Sequence, residues 1–443
     1  MITRRRFLAY SALGGVTAAQ GSPAAAGAHP LPSRADGNAA GLVSLENKIR
    51  LARLKDFLLG YPINMNMPPR GFLAWRTRLQ QAGIDMFSYN NLGNPFHEST
   101  IPFNTHDLEQ ETIQRFGALL KFPAVDTWGF LSHSGTDSNM HGMYMGRTIL
   151  KGRTGKMPRC YFTDEAHYSI QILQDLLGLE AVAVATHPDG SMDADDLEGK
   201  LRQHRDTPAL VVATLGTTFK GAIDPVDEIR SALETSRNGE SYLHVDAALF
   251  GGYLPHTDQA HLVHCMASGG AGLRYDSLAI SCHKFFGFPS PAGLFITTKS
   301  HFDAFLPFYS RVHNPEYVGQ VPGTITCSRD AVKPAEFAYF ATPEAMARQA
   351  EDAHAILERT DFLMAQMQDQ LEHLAPRRAS RLSNTIYFRK PADWVVKKYS
   401  LATMHIGKVM HAHAIIMPHA NKGILTEFLH DLKQGIANTP TPA

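Results

Sequence analysis

"SLAISCHKFFGFP", residues 277–289, begins with an apolar run that is followed by an imidazole and an amine, those of His283 and Lys284. The run predicts a buried strand, and an amine at the end of such a strand has a depressed pKa because desolvation disfavours its charged form. A neutral lysine amine can act as a nucleophile towards an aldehyde. The alternative is that Lys284 carries its ammonium group to the surface on an apolar stem.

Other apolar runs alternate with helical patterns along the chain, on both sides of this stretch. Continuous apolar strands separated by helices indicate a mainly parallel sheet with both faces covered, and therefore the α/β class. Ligands collect at the carboxyl ends of the strands in such sheets. The runs are TWGFLSHSG (127–135), RCYFTDEAHYS (159–169), AVAVAT (181–186), PALVVATLGTT (208–218), SYLHVDAAL (241–249) and GLFITTK (293–299).

Composition and pattern divide the chain into five predicted segments. A long helical pattern followed by short strand patterns marks the beginning of a small α+β domain. Helices are also predicted over 45–59 and 106–120, the second with Asn104 or Thr105 as its cap. The segments are an export signal (1–28), a linker and helical segment (29–104), a large domain (105–335), a small C-terminal domain (336–435) and a disordered tail (436–443).

The first 28 residues carry the three parts of a twin-arginine export signal. Arg4 and Arg5 are followed by Phe7 and Leu8, a short apolar run, and the small residues AGA at 26–28. We expect an exported or periplasmic protein. A disordered basic tail on a cytoplasmic protein is the alternative. The apolar run is too short to predict a membrane span, and no later run is long enough.

The composition excludes some classes of function. Lys plus Arg and Asp plus Glu number 42 each among 443 residues, so no basic field indicates a nucleic-acid partner. The 22 histidines show no HExxH spacing, and no metal site is predicted, although His411 and His413 alternate as on a strand face and keep a metal hypothesis open. The cysteines, predicted to be buried thiols, are Cys160, Cys265, Cys282 and Cys327.

Asp246 ends the apolar run YLHVD, where a carboxylate is costly unless it has a charged partner. The pyridinium nitrogen of pyridoxal phosphate is such a partner, because holding it protonated makes the ring an electron sink. An Asp and a Lys at the ends of nearby strands are what this cofactor needs. The alternative is an Asp that caps the following helix.

Two further strand ends carry polar groups of the same kind. In SHSGTDSN the small residues Ser134 and Gly135 let backbone N–H groups approach a phosphate, and Thr136 can add a hydroxyl at a helix start. The loop is neither a GxGxxG nor a GxxxxGK[ST] motif, which argues against dinucleotides and nucleoside triphosphates. His167 in DEAHYS can stack on a flat ring or cap a helix.

With these residues in place, the chain resembles the group II pyridoxal-phosphate decarboxylases, and within them the bacterial histidine decarboxylase and plant serine decarboxylase branch. The motifs occur in family order over nearly the whole chain from about residue 45 to 432. They are YPINMN (61–66), NNLGNPF (90–96), SGTDSNMHG (134–142), DEAHYS (164–169), TLGTTFKGAIDPV (214–226), LHVDAALFGG (243–252), SCHKFFGFPSPAG (281–293) and MPH (417–419).

The resemblance implies a fold-type I architecture, with a mainly parallel sheet of seven strands, and pyridoxal 5'-phosphate as cofactor. It implies that Lys284 forms the Schiff base, that Asp246 pairs with the pyridine nitrogen and that His167 stacks on the ring. A mobile-loop tyrosine is expected to return a proton to the α-carbon, and Tyr317 lies in the matching stretch; an ordinary surface aromatic is the alternative. The remaining cofactor-binding residues implied are Ser134, Gly135, Thr136, His283, Ala248 and Thr217.

The implied reaction is decarboxylation of an L-amino acid to an amine and CO2, with histidine favoured and serine or a small aliphatic amino acid as alternatives. The family assembles as homodimers, so a homodimer or a larger homo-oligomer is expected. Where relatives read SRNGH, this chain reads SRDAV (328–332), which keeps open a catalytically silent, exported cofactor-binding protein. The residues predicted to meet the substrate are Tyr61, Asn64, Asn91 and His97.

Overall fold

The computed structural model describes residues 55–236, 240–270, 272–312 and 315–437. The predicted export signal, most of the helix predicted for 45–59 and the end of the predicted tail lie outside these residues. The helix predicted from His106 is confirmed, because it runs over His106–Leu119 with Thr105 as its N-cap.

Seven strands form the larger sheet. Their order across the sheet is β1-β7-β6-β5-β4-β2-β3. Six strands run in the same direction, and β7 runs antiparallel to both of its neighbours, β1 and β6. The predicted mainly parallel α/β sheet is thereby confirmed. The strands are β1 (Thr127–Ser132), β2 (Arg159–Thr163), β3 (Glu180–Val184), β4 (Ala209–Thr214), β5 (Ser241–Asp246), β6 (Ser277–Ser281) and β7 (Gly293–Thr298).

Both faces of this sheet are buried, which is why its strands are apolar without alternation. Along β4, Leu210 and Val212 belong to one hydrophobic core, whereas Val211 and Ala213 belong to the core on the other face. The helices that precede, cover or follow the sheet are α1 (Arg70–Gln81), α2 (His106–Leu119), α3 (Gly135–Thr154), α4 (Tyr168–Leu176), α5 (Ala194–Gln203), α6 (Val226–Thr235), α7 (Phe250–Tyr253), α8 (Lys299–Tyr309) and α9 (Val332–Phe337).

A second, three-stranded sheet lies in the C-terminal part of the chain. All its pairs are antiparallel and its order is β8-β10-β9, so β10 is central. A third hydrophobic core fills the space between this sheet and its helices. The sheets thus fall within the two predicted domains, whose boundaries stay predictions. The elements are α10 (Pro343–Gln370), β8 (Thr385–Arg389), α11 (Asp393–Lys398), β9 (Ala402–Ile406), β10 (Val409–Ile415) and α12 (Lys422–Ala437).

Two features of the described chain bear on the remaining predictions. None of its helices combines the length and the apolar character that crossing a bilayer requires. Cys160, Cys265 and Cys282 are buried free thiols as predicted, but the prediction is wrong for Cys327, which is exposed. Cys327 lies in an irregular segment between α8 and α9 and not in a strand, so no neighbouring strands cover it.

Candidate active site

The functional side chains gather where strands of the large sheet end. Asp246 is the last residue of β5, and Lys284 follows β6 by three residues. His167 follows β2, and Ser134 follows β1. Because β1, β2, β5 and β6 run in the same direction, their carboxyl ends meet at one edge of the sheet. One edge therefore carries all four groups.

Lys284 is a partly buried amine whose pKa lies below its usual value. Burial is the main cause, because desolvation disfavours the ammonium form, and the negative charge of Asp246 opposes the shift. The neighbouring His283 also has a lowered pKa, first from burial and then from the charge of Lys284. Its Nδ1 lies 3.3 Å from the carbonyl oxygen of Ala292, which can only accept a hydrogen bond, so Nδ1 is the donor. The environment thus favours a neutral, nucleophilic lysine.

Asp246 is a buried carboxylate that is held from two sides by N–H donors. The side-chain amide of Asn139 donates to Oδ2 at 3.0 Å, and the backbone N–H of Ala248 donates to Oδ1 at 3.1 Å. Each carboxylate oxygen accepts one of these bonds and retains acceptor capacity. The carboxylate is therefore fixed in direction and can still accept a bond from a cationic N–H. Asp246 does not cap the following helix, because α7 begins only at Phe250.

His167 fills one of its two predicted roles, that of a helix cap. It is the N-cap of α4, since the backbone N–H of Ser169 donates to its Nδ1 at 3.3 Å, so the neutral ring carries its proton on Nε2. Burial lowers the pKa of His167, the charge of Asp246 opposes that change and the charge of Lys284 adds to it. The three groups predicted from sequence thus interact through space. Stacking on a ring stays a prediction.

The loop between β1 and α3 has the shape of an anion cradle. Ser134 caps α3 by accepting the N–H of Asp137 at 3.1 Å. A Cβ on Gly135 would come within 2.2 Å of the Ser281 hydroxyl, so any larger residue here would require the Ser281 side chain to move. The first N–H groups of a helix have no acceptor within the helix. Gly135 and Thr136 therefore present backbone donors at the positive end of a 20-residue helix.

The two remaining predicted cofactor residues have structural functions of their own. Ala248 donates its N–H to Asp246, and its carbonyl accepts the N–H of Ser281 at 2.9 Å, which joins the ends of β5 and β6. Thr217 is buried after β4, and its hydroxyl accepts the N–H of Ala222 at 2.9 Å. Its hydroxyl thus closes a turn at the same edge of the sheet.

The four residues predicted to meet the substrate do not form one group. Asn64 lies beside the amine-bearing segment: its N–H donates to the carbonyl of Lys284 at 3.2 Å, and its side chain donates to the carbonyl of Phe285 at 3.0 Å. Tyr61 is half exposed and His97 is exposed. The structure holds Asn64 at the site and leaves the two rings in contact with solvent.

Asn91, predicted to meet the substrate, lies in a buried hydrogen-bond network of the fold. It is fully buried, its side-chain amide donates to Glu109 at 2.9 Å, and its carbonyl oxygen accepts the N–H of Thr105 at 2.8 Å. Its polar atoms are occupied by the fold. Sequence reasoning placed it in the pocket because its motif is polar and rich in turn residues, and such a motif does not distinguish a pocket wall from a buried network.

Tyr317, the predicted proton donor, is 87 % exposed in the short helical turn Glu316–Val318. Within one chain the ring is therefore not packed against Lys284. The prediction of a catalytic role stays open and requires the segment to close over the site or to meet another chain.

The SRDAV segment, in which the chain departs from its relatives, has a structural function. Arg329 makes a bidentate pair with Glu109 at 2.5 and 3.1 Å, and both side chains are 1 % exposed. The carboxylate of Asp330 accepts the N–H groups of Val332 and Lys333 at the start of α9. The Arg329–Glu109 pair was not predicted, because residues 220 positions apart offer no local signal.

The metal hypothesis finds no geometric support. His411 and His413 do share a face of β10, as alternation predicts. Both ring nitrogens of His413, however, face carbonyl oxygens, those of Phe219 at 2.9 Å and Gly60 at 3.2 Å. Over the described ranges there is no group of three or more His, Cys, Asp or Glu side chains suited to a metal ion.

The fold and this edge of the sheet are those of a pyridoxal-phosphate enzyme of fold-type I. A mainly parallel seven-stranded sheet brings together a lysine with a lowered pKa, a buried aspartate and an anion cradle at the start of a helix. The family model of the pyridoxal-dependent decarboxylase conserved domain matches residues 85–302. The chain belongs to this family and is a pyridoxal-phosphate-dependent amino-acid decarboxylase, a carboxy-lyase.

Relatives support this membership over most of the chain. A histidine decarboxylase of Klebsiella aerogenes is 32 % identical over 73 % of this chain and 81 % of its own length. A histidine decarboxylase of Solanum lycopersicum is 29 % identical over 87 % of this chain and 86 % of its own. Serine decarboxylase 1 of Oryza sativa subsp. japonica is 29 % identical over 85 % and 72 %.

A solved structure shows the same fold. L-methionine decarboxylase from Streptomyces sp. 590 superposes with a TM-score of 0.76 at 21 % identity, over 91 % of this chain and 96 % of that chain. The predicted architecture, activity class and cofactor are thus confirmed.

The residues present fit the cofactor. The Gly135 cradle leaves no room for a Cβ, the Asp246 carboxylate has only N–H donors around it, and the Lys284 pKa is lowered. When bound, pyridoxal phosphate supplies an aldehyde and a ring that accepts an electron pair from the α-carbon. Lys284 would supply the neutral amine, Asp246 would face the positive charge of the ring nitrogen, and the N-terminus of α3 would hold the phosphate dianion.

Proposed function

We propose that this decarboxylase converts L-histidine to histamine and CO2. The observation that carries the proposal is the similarity to the Klebsiella aerogenes histidine decarboxylase, which extends over 81 % of that enzyme. The site roles proposed with it are those of the cofactor edge: Lys284 carries the cofactor, Asp246 pairs with its ring nitrogen and His167 stacks on its face.

The position of Asn64 supports a polar substrate side chain. The residue is fixed by two hydrogen bonds to the segment that contains Lys284. Its side-chain oxygen accepts the N–H of Asn66 at 3.1 Å, so the amide orientation is set from both ends. A polar side chain anchored to the backbone of the segment that carries Lys284 suits a substrate with a hydrogen-bonding side chain such as imidazole or hydroxyl.

Serine is the second candidate, supported by the similarity to the rice serine decarboxylase. A silent cofactor-binding protein was considered because of SRDAV. The buried Arg329–Glu109 pair and the cap formed by Asp330 explain that segment through the fold. Among the altered residues, Asp330 thus has a structural function, and the amino-acid panel decides between turnover and the silent alternative.

An amino-acid panel tests the proposal. Purified protein loaded with pyridoxal phosphate is given single L-amino acids, and amine and CO2 release are measured, with Lys284→Ala as the blank. We expect the highest kcat/KM for histidine. Preference for serine or for a small aliphatic amino acid would reassign the substrate. Absence of turnover over the whole panel, with cofactor bound, would establish the silent alternative.

A homodimer is proposed as the working assembly, with the face of α4 at the interface. Tyr168, Ile172 and Leu176 recur every four residues on this helix and are 67, 57 and 67 % exposed. An apolar stripe of this kind marks an interaction surface. The stripe begins one residue after His167, so a partner chain bound there would lie beside the active site.

Sedimentation velocity tests this interface. We expect Ile172→Glu to shift the protein towards monomer and to lower turnover, and Val125→Glu, at an isolated residue that is 97 % exposed, to leave the assembly unchanged. A dimer that persists in Ile172→Glu would exclude this face.

Export through the twin-arginine route is proposed from the sequence of residues 1–28. Replacing Arg4 and Arg5 together by lysine should retain the protein in the cytoplasmic fraction, because the arginine pair is the recognised element of such signals. Equal distribution of the parent and the double variant between fractions would favour the cytoplasmic alternative.

A further inference from the structure

Behind Asp246 lies a hydrogen-bond chain that runs away from the cofactor side. Asn139 bonds Asp246 at 3.0 Å, Asn139 Oδ1 lies 3.0 Å from His244 Nε2, and His244 Nδ1 lies 2.8 Å from the Ser277 hydroxyl. All four side chains are buried, with exposures of 0 to 3 %. The chain is thus shielded from water along its length.

The direction of every bond in this chain follows from chemistry. A carboxylate can only accept, so the atom of Asn139 that faces Asp246 is the amide nitrogen. The amide oxygen must then accept, and His244 Nε2 must donate to it. In a neutral ring, which burial favours, His244 Nδ1 has no proton and accepts from the hydroxyl of Ser277. One tautomer of the histidine fits, and it is neutral.

Packing holds the histidine in this state and position. Burial lowers the pKa of His244 to about 3, so the ring is uncharged at any working pH. A Cβ on Gly142 would come within 2.4 Å of the ring, which shows how closely α3 covers it. On the opposite side, His244 and Ser277 are register partners in the β5–β6 ladder. The ring is therefore clamped between a helix and a strand.

The same helix carries both ends of the site. Gly135, in the anion cradle, and Asn139 are four residues apart on α3 and thus share a face of the helix. A Cβ on Gly135 would meet Ser281, the last residue of β6. The hydrogen-bond chain therefore links the Asp246 carboxylate to the helix that presents the phosphate-binding loop. This link fixes the distance between the group that meets the ring nitrogen and the group that meets the phosphate of one rigid cofactor.

We propose that Asn139, His244 and Ser277 are positioning residues that form an uncharged hydrogen-bond chain and hold the Asp246 carboxylate in the direction required by a protonated ring nitrogen. The inference rests on the proposed role of Asp246. It assigns to the three residues an effect on recognition of the ring nitrogen that a merely structural role would not have.

A cofactor analogue without the ring nitrogen separates the two possibilities. In 1-deazapyridoxal phosphate a C–H group replaces the nitrogen, so Asp246 has no cation to bind. The measured quantity is the ratio of the Kd values for the analogue and for pyridoxal phosphate, from the absorption change on titration. We expect Asn139→Leu and His244→Leu each to lower this ratio roughly tenfold. This corresponds to a coupling of about 1.4 kcal/mol between the substituted residue and the contact of Asp246 with the ring nitrogen.

Matched variants complete the experiment. His244→Gln keeps an N–H donor near the Nε2 position and should retain most of the ratio. Asn384→Leu removes an equally buried amide, which donates to Ile416 at 3.1 Å in the small domain, and should leave the ratio unchanged. Ser277→Ala removes only a hydroxyl and should lower the ratio about threefold; it serves as the test if a leucine variant does not fold.

The outcomes distinguish the inference from the function on which it rests. If Asp246→Asn lowers the ratio while Asn139→Leu, His244→Leu and Ser277→Ala leave it intact, the positioning chain is refuted and the role of Asp246 stands. If Asp246→Asn itself leaves the ratio unchanged, the proposed role of Asp246 has failed, and the inference fails with it. A graded fall, largest for Asp246→Asn and smallest for Ser277→Ala, supports both.

Discussion

The cofactor edge and the segments predicted to meet the substrate are held in opposite ways. The carboxylate of Asp246 and the side chains of Asn139 and His244 behind it are buried and hydrogen-bonded within the chain. Tyr61 and Tyr317, by contrast, are 50 and 87 % exposed. Rigid, water-free groups suit the binding of a charged ring, whereas a substrate must enter and leave. The difference separates a buried carboxylate held in a fixed direction from substrate-side tyrosines that are in contact with solvent.

The largest expected effect is on the cofactor edge. Lys284→Ala removes the amine whose pKa is lowered by burial and which is proposed to bind the aldehyde covalently. We expect complete loss of the visible absorption of the bound cofactor and of turnover. Lys299→Ala, at an exposed lysine that pairs with Asp303, is the control and should behave as the parent. Retention of the absorption band in Lys284→Ala would contradict the assignment.

On the exposed side, Tyr317→Phe separates chemistry from binding. If the tyrosine delivers the proton, its loss should lower kcat about 10²- to 10⁴-fold, the range for general acids. The visible absorption should be unchanged, because the ring is 87 % exposed and takes no part in the cofactor edge. An unaltered kcat would leave Tyr317 as an ordinary surface aromatic and would assign the proton to another group.

The buried pair behind the site offers a comparison in stability. Arg329→Ala leaves Glu109 buried and unpaired, and should lower the free energy of unfolding by about 3–5 kcal/mol. Arg153→Ala breaks a pair with Glu240 whose side chains are 46 and 37 % exposed, and should cost less than about 1 kcal/mol. Urea denaturation measures both. Similar losses in the two variants would mean that burial does not set the strength of these pairs.

Sequence reasoning located the cofactor edge because its signals are local. An apolar run followed by a charged or polar group, as at Lys284 and Asp246, predicts both a buried strand and the position of its carboxyl end. Side chains in a strand point alternately to its two faces, so His244, two residues before Asp246 in β5, lies on the same face as Asp246. This spacing is a local signal for His244. Sheet order and the partner of Arg329 depend on contacts between distant residues, and no local pattern carries them.

The N-terminal part of the described chain shows what a single sequence does not predict. Asn91 and Asn64 both lie in polar, turn-rich motifs, yet the first is buried in a network with Glu109 and the second is held beside Lys284. Composition cannot separate these cases, because both environments satisfy an amide equally well. The helix α1 was likewise not predicted, since two of its twelve residues, Phe72 and Leu79, are buried and its apolar stripe is narrow.

The smallest expected effect is a pH shift that links the two charges of the cofactor edge. Capture of pyridoxal phosphate needs the neutral amine of Lys284, so its rate should rise with pH and level off above the pKa of that amine. Burial lowers this pKa, and the negative charge of Asp246 raises it in part. Asp246→Asn removes the raising influence, so the midpoint of the rate profile should move to lower pH, and Asp303→Asn at the surface should not move it. A midpoint that stays in place or moves to higher pH in Asp246→Asn would show that the two groups do not interact as their positions indicate.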